Sequence, residues 1–133
     1  QAELSEDVAE FDDGFATLIG ERGVTLSGGQ KQRATLGRAL LADPRILILD
    51  DALSAVDTRT ENAILEHLAR FLAERTAIIV AHRVSTLRLA DQIIVINDGE
   101  IAERGDHPEL VAAGGFYAEL VRRQELTSEL ESM

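Results

Sequence analysis

Three short apolar runs, separated by stretches of helical period, restrict this chain to one class of fold. "ILIL" (46–49), "AIIV" (77–80) and "IIVI" (93–96) are uninterrupted, which predicts strands buried on both faces of a mostly parallel sheet. From Ser27 to about Leu41 the pattern is helical, with Leu36, Ala39 and Leu40 as the apolar face, and Asp43-Pro44 stops it. Between the first two runs Ile64, Leu65, Leu68, Phe71 and Leu72 recur with a 3.6 period, and Thr58 with Glu61 supplies a T-x-x-E capping box. Strands alternating with helices mean an α/β fold. Asn97-Asp98-Gly99 predicts a hairpin turn returning through Ile101 to Arg104. Two short helices follow, the second packing Phe116, Tyr117, Leu120 and Val121. Residues 5–15 predict a short acidic helix, "IGERG" a Gly-rich turn, and the polar tail 127–133 a frayed end.

Length and charge narrow the function. At 133 residues the chain is large enough for one modest domain with a core. The net charge of −11, from 24 acidic against 13 basic residues, argues against nucleic acid as a main partner. There is no cysteine, so disulfide and thiolate–metal chemistry are excluded. No apolar run approaches the ~20 residues of a membrane span. The chain begins with Gln rather than Met, so its start is expected not to be native.

In open α/β sheets ligands gather at the carboxyl ends of the strands. Asp50 and Asp51 follow the first apolar run and His82 follows the second. Paired carboxylates at a strand end suit Mg²⁺ and phosphoryl transfer. The plainer alternatives are that Asp50 caps the next turn and that His82 bonds a nearby carbonyl. Upstream, Ser27 and Gln30 have the S-x-x-Q spacing of a capping box, which is sufficient for those two residues. It leaves Gly28-Gly29 unexplained, since glycines weaken a first helical turn. They make sense where a ligand must approach bare N–H groups at the positive end of a helix, as a phosphate does. Yet the chain contains no GxxxxGK[ST] phosphate loop.

The order "LSGGQKQR", helix, "ILILDD", "SAVD" and a strand leading to histidine resembles the C-terminal part of an ATP-binding cassette (ABC) nucleotide-binding domain of exporter type. The resemblance runs from about Ala2 to Glu125. It implies a P-loop NTPase-like partial domain, with a signature-bearing portion at 1–42, a portion from Walker B to the C-terminal helices at 43–126, and a polar tail at 127–133. "LSGGQKQR" is similar to the signature motif, so Ser27, Gly28, Gly29 and Gln30 would touch ATP held by a second nucleotide-binding domain. Asp50 matches the Walker B aspartate that reaches Mg²⁺, Ser54 and Asp57 the D-loop, and His82 the switch histidine. "TLIGERG" resembles the X-loop, whose Gly20, Glu21, Arg22 and Gly23 would face the coupling helices of a transmembrane domain. The tail segment "GEIAERGDHPELVAAGGFYAEL" also follows the exporter pattern.

The family resemblance further implies ATP and Mg²⁺ as cofactors, coupling of hydrolysis to transport, and a place on the cytoplasmic face of the cell membrane. The Walker A loop, adenine platform and Q-loop would precede Gln1, so this piece alone is expected to be inactive. In the family the Walker A strand lies between "AIIV" and "IIVI", so a split sheet and self-association are expected. Two positions depart from the pattern. Asp51 stands where the family places a catalytic Glu, which implies a slow site and favours a heterodimer with a competent partner. Leu18 stands where the X-loop often has Glu. The other readings are a nucleotide-sensing regulatory half with little turnover and a soluble, non-transport ABC ATPase. His67 and His107 are assigned to a helix surface and a turn, and Arg22, Arg33 and Arg38 to structural or interface charges.

Overall fold

The computed structural model describes residues 2–132. They form α1 (Ser5–Ala9), a 3-10 turn (Gly14–Ala16), α2 (Gly28–Leu41), β1 (Ile46–Asp50), α3 (Thr58–Leu72), β2 (Thr76–Val80), α4 (Val84–Leu87), β3 (Ile93–Asn97), β4 (Glu100–Gly105), α5 (His107–Ala113) and α6 (Phe116–Ser132). Two compact units divide after Val80, so α2, β1 and β2 share one unit. The strands make two separate two-stranded sheets, β1 with β2 and β3 with β4.

In the first unit β1 and β2 run parallel, with Ile46 opposite Thr76, Ile48 opposite Ile78 and Asp50 opposite Val80. Leu47 and Leu49 point inward and are buried, as are Leu36 and Leu40 of α2 and Ile64, Leu65 and Leu68 of α3. The other face of the pair differs from the expectation. Ile46, Ile48, Ile78 and Val80 are 53–66% exposed. An uninterrupted apolar run says that both faces suit burial; within this unit only one is covered.

The ends of the helices follow local chemistry. Asp57, not Thr58, caps α3, its carboxylate accepting from the Thr60 N–H at 3.0 Å. Those bonds from Thr60 hold the Asp57 carboxyl below its ordinary value. Glu61, expected to complete a box with Thr58, is buried. α1 is tied to α2 through Asp7, which accepts from Arg33 Nη1 at 2.7 Å and Nη2 at 3.1 Å and from Gln30 Nε2 at 2.8 Å. Arg33 also donates to the Glu3 carbonyl. Burial pushes the Asp7 carboxyl up, but the bonds from Arg33 and Gln30, with the Arg33 charge, outweigh it and hold the group below its ordinary value.

In the second unit β3 and β4 form the expected hairpin, turning at Asp98 and Gly99 with φ of 50° and 79°. Val84, Ile93, Leu110, Tyr117 and Val121 form its core. The Glu103 carboxylate of β4 accepts the N–H groups of Phe116 (2.7 Å) and Tyr117 (3.0 Å) and so caps α6. This seats Tyr117 in the core but leaves Phe116 at 55% exposure, against the expectation that both pack. His107 lies at the start of α5 rather than in a turn, with Nδ1 2.8 Å from the Tyr117 hydroxyl. The tail from residue 127 is not separate from the helix, since α6 runs through it to Ser132.

Two outcomes follow from these surfaces and bonds. The isolated chain should self-associate through the β1–β2 face, and Ile48→Lys should shift it toward monomer in sedimentation velocity; a parent chain that stays monomeric at every concentration contradicts this. Asp7→Asn should destabilise the chain at pH 7 by about 1–2 kcal/mol in urea unfolding. Because the native Asp7 value is lowered, its contribution is complete above about pH 4 and disappears as pH falls through the native value. The parent and Asp7→Asn curves should therefore converge in acid, and parallel curves would count against the bond.

Candidate functional site

The corner at the start of α2 is built from its own backbone. Ser27 is extended (φ −63°, ψ 164°) and closes a capping box: its Oγ accepts from the Gln30 N–H at 3.2 Å, and Gln30 Oε1 accepts from the Ser27 N–H at 2.9 Å. Gln30 is thus committed to the cap and to Asp7. The two glycines have different reasons. A Cβ on Gly29 would lie 2.8 Å from the Ala55 carbonyl oxygen, so that glycine is required by the chain's own packing. A Cβ on Gly28 would meet only the Ala55 methyl at an ordinary 3.6 Å. Gly28 is exposed beside the exposed Ser27, and the fold does not require it to be glycine. The helix end places its first unbonded N–H groups at this point, with the positive end of the dipole.

The segment after β1 docks against this helix. Asp50 is exposed, on the same face as Ile46 and Ile48. Among the described residues no hydrogen bond engages its carboxylate, so it does not cap the turn. Asp51 takes a left-handed φ of 49°. Its N–H donates to the Val80 carbonyl at 2.8 Å, and its carbonyl accepts the Ser54 N–H at 3.2 Å and Ser54 Oγ at 3.0 Å. Gln32, one turn into α2, completes the joint. Its Nε2 donates to Ser54 Oγ at 2.9 Å and to the Asp51 carbonyl at 3.4 Å, and its Oε1 accepts the Ala55 N–H at 2.8 Å. Gln32 is not among the residues that the sequence singles out for function. The only signal was a second amide two residues beyond Gln30, on a helix whose partner loop lies about twenty positions away.

Of the candidate residues, Ser27, Gly28, Gly29, Gln30, Asp50, Asp51, Ser54 and Asp57 all lie in the first unit, where α2 and the 51–57 segment meet through Gln32 and Gly29. Gly20, Glu21, Arg22 and Gly23 form an exposed turn, closed by the Val24 N–H on the Leu18 carbonyl (2.9 Å) and the Gly23 N–H on the Gly20 carbonyl (3.1 Å). A Cβ on Gly23 would collide with the Leu18 carbonyl. His82 belongs to the second unit and is exposed in the loop between β2 and α4. His67 sits on α3, its Nδ1 2.9 Å from the Ala63 carbonyl and 3.4 Å from Glu3. Among the described residues no three His, Cys, Asp or Glu converge as a metal cage. Mg²⁺ is commonly held by one or two carboxylates with water and substrate phosphates, and the exposed Asp50 carboxylate fits one such place.

Known proteins resemble this chain along nearly its whole length. The family model described as ABC transporter matches residues 1–54. The chain is 49% identical over 132 residues to the mouse mitochondrial potassium channel ATP-binding subunit, covering 99% of this chain and 18% of that protein. It is 50% identical over 130 residues to the Escherichia coli multidrug resistance-like ATP-binding protein MdlA, covering 98% of this chain and 22% of that protein. It is also 50% identical over 123 residues to the ATP-dependent lipid A-core flippase of Aliivibrio fischeri, covering 92% of this chain and 21% of that protein. Its fold superposes on a bacterial Atm1-family ABC exporter with ATP bound, with a TM-score of 0.85, 44% identity, and coverage of 93% of this chain and 22% of that one. The chain thus spans about a fifth of the length of these relatives. Among the described residues no helix is long and apolar enough to cross a membrane. With the signature corner, the strand ending in two aspartates and the α/β fold in place, the chain belongs to the ABC transporter family and is a partial ATP-binding domain of exporter type.

Proposed function

We propose that this chain is the signature-bearing part of an ATP-binding subunit of an ABC exporter, and that its α2 corner serves ATP held by a second ATP-binding domain. The observation that carries this is Gly28. It is an exposed glycine at a helix N-terminus, beside an exposed serine, and packing does not explain it. Ser27 keeps its hydroxyl hydrogen available while its oxygen caps the helix, and the first-turn amides offer donors to an anionic oxygen. Asp50 would hold Mg²⁺, which when bound neutralises charge on the phosphates.

Asp51 takes the place of the water-orienting base. Its carboxylate is one bond shorter than that of Glu, a retreat of about 1.5 Å. A misplacement of ~1 Å can cost on the order of 100-fold in rate. We therefore assign the slow site to this subunit and the working base to its partner, which makes the pair a heterodimer. The same substitution favours a second reading, a regulatory half that senses nucleotide with little turnover. His82 would meet the γ-phosphate of this subunit's own site. The exposed 20–23 turn would receive the coupling helices of a membrane domain, on the cytoplasmic face of the membrane.

The test uses the full-length assembly, with one substitution at a time in this subunit. Gly28→Asp sets a carboxylate against the partner's γ-phosphate and should lower steady-state ATPase activity by about 100-fold. Asp51→Asn should leave most of the activity. Equal losses would mean two equivalent working sites and would remove the heterodimer reading. An active Gly28→Asp assembly would mean that the corner is only a helix cap.

A further inference from the structure

The loop that carries His82 is gripped by a residue far along the chain. Gln124 Nε2 donates to the His82 carbonyl at 2.5 Å, and Gln124 Oε1 accepts the Val84 N–H at 2.9 Å. One amide thus bridges the backbone on both sides of Arg83, bonding the carbonyl of the histidine itself and the first N–H of α4. Gln124 reaches this place because it follows Tyr117 and Val121 at the i, i+4, i+7 spacing of one helix face. Tyr117 and Val121 are buried in the core together with Val84, the residue whose N–H Gln124 takes. The helix is therefore anchored on the core side of the contact, and Gln124 ends the apolar stripe with a group shaped for one donor and one acceptor.

From this geometry we infer that Gln124 is a positioning residue for His82, holding the histidine loop in the conformation that presents the ring to nucleotide. The inference rests on the proposed role of His82. The ring is exposed and carried by the loop, so its place follows the φ and ψ angles there, which a bidentate amide restricts at two backbone atoms. A glutamine is suited to this because it offers both a donor and an acceptor; glutamate keeps the shape but offers only acceptors, and methionine offers neither useful bond.

The experiment compares Gln124→Met, Gln124→Glu and His82→Ala in the full-length assembly whose partner subunit has its catalytic base disabled, so that the turnover read, parent included, is that of this subunit's own site. It measures kcat and KM for ATP, the melting temperature, and hydrogen exchange at the Val84 amide. Both Gln124 variants should lower kcat, by about ten-fold, since a shift below 1 Å costs less than the 100-fold of a full ångström. KM and melting temperature should stay near the parent values, because the core face of α6 is unchanged. Val84 exchange should quicken in Gln124→Met and remain protected in Gln124→Glu, which retains the acceptor. If His82→Ala lowers turnover while both Gln124 variants keep the parent kcat, the clamp is overturned and the histidine reading stands. If His82→Ala keeps full turnover, the histidine reading fails and takes the clamp with it. A fall in melting temperature with a matching rise in KM for both variants would make Gln124 a packing residue and overturn the inference. Should Gln124→Met fail to fold, Gln124→Glu decides alone, and an unchanged kcat there is contradictory.

Discussion

The peptide backbone of Asp51 is the joint on which the first unit depends. Its N–H reaches β2 at Val80, and its carbonyl collects Ser54 and Gln32. One residue in a left-handed conformation, which costs a non-glycine about 1 kcal/mol, therefore links β1, β2, α2 and the turn after β1. The consequence is geometric. The strand end, the turn after it and the helix that begins at Ser27 cannot shift independently, because Gln32 spans Ser54, Ala55 and Asp51 from α2. A change felt at Asp50 or Asp51 would be passed to the Ser27 corner through hydrogen bonds rather than through a flexible loop.

This joint also separates the parts of "LSGGQ" that local folding explains from the part that it does not. Ser27 and Gln30 cap a helix, and Gly29 admits the Ala55 carbonyl. Each would be required in a protein that bound nothing. Gly28 meets no such demand, and it alone in this motif points to a phosphate contact. The family assignment comes from the whole order of motifs and from relatives at about half identity, while the trans contact is a proposal carried by one glycine.

Much of the fold was legible because it is written in local patterns. The α2 cap, the Asp43-Pro44 stop, the strand positions and the Asn97-Asp98-Gly99 turn each depend on residues a few places apart. The failures share a cause. Burial on both faces of "ILIL" depends on what lies against each face, and no periodicity reports that. The cap of α3 falls at Asp57 rather than Thr58, because the Asp57 carboxylate takes the Thr60 N–H while its carbonyl takes the Glu61 N–H that a Thr58 box would need. Tyr117 and Phe116 looked equivalent until Glu103 fixed the start of α6 and turned only one inward. Gln32 and Gln124 were invisible as functional residues, since an amide on a helix has no meaning until its distant loop is known.

The central claim is that the Ser27–Gly28 corner meets a nucleotide held by another ATP-binding domain. The direct test is covalent: Ser27→Cys in the full-length protein, exposed to an ATP analogue with a thiol-reactive group on the γ-phosphate. The account predicts that the introduced thiol is labelled only when the second ATP-binding domain is present, that labelling rises with assembly of the pair, and that MgATP suppresses it. Labelling of the unassembled subunit to the same extent, or no labelling of that thiol in the assembled pair, would contradict it.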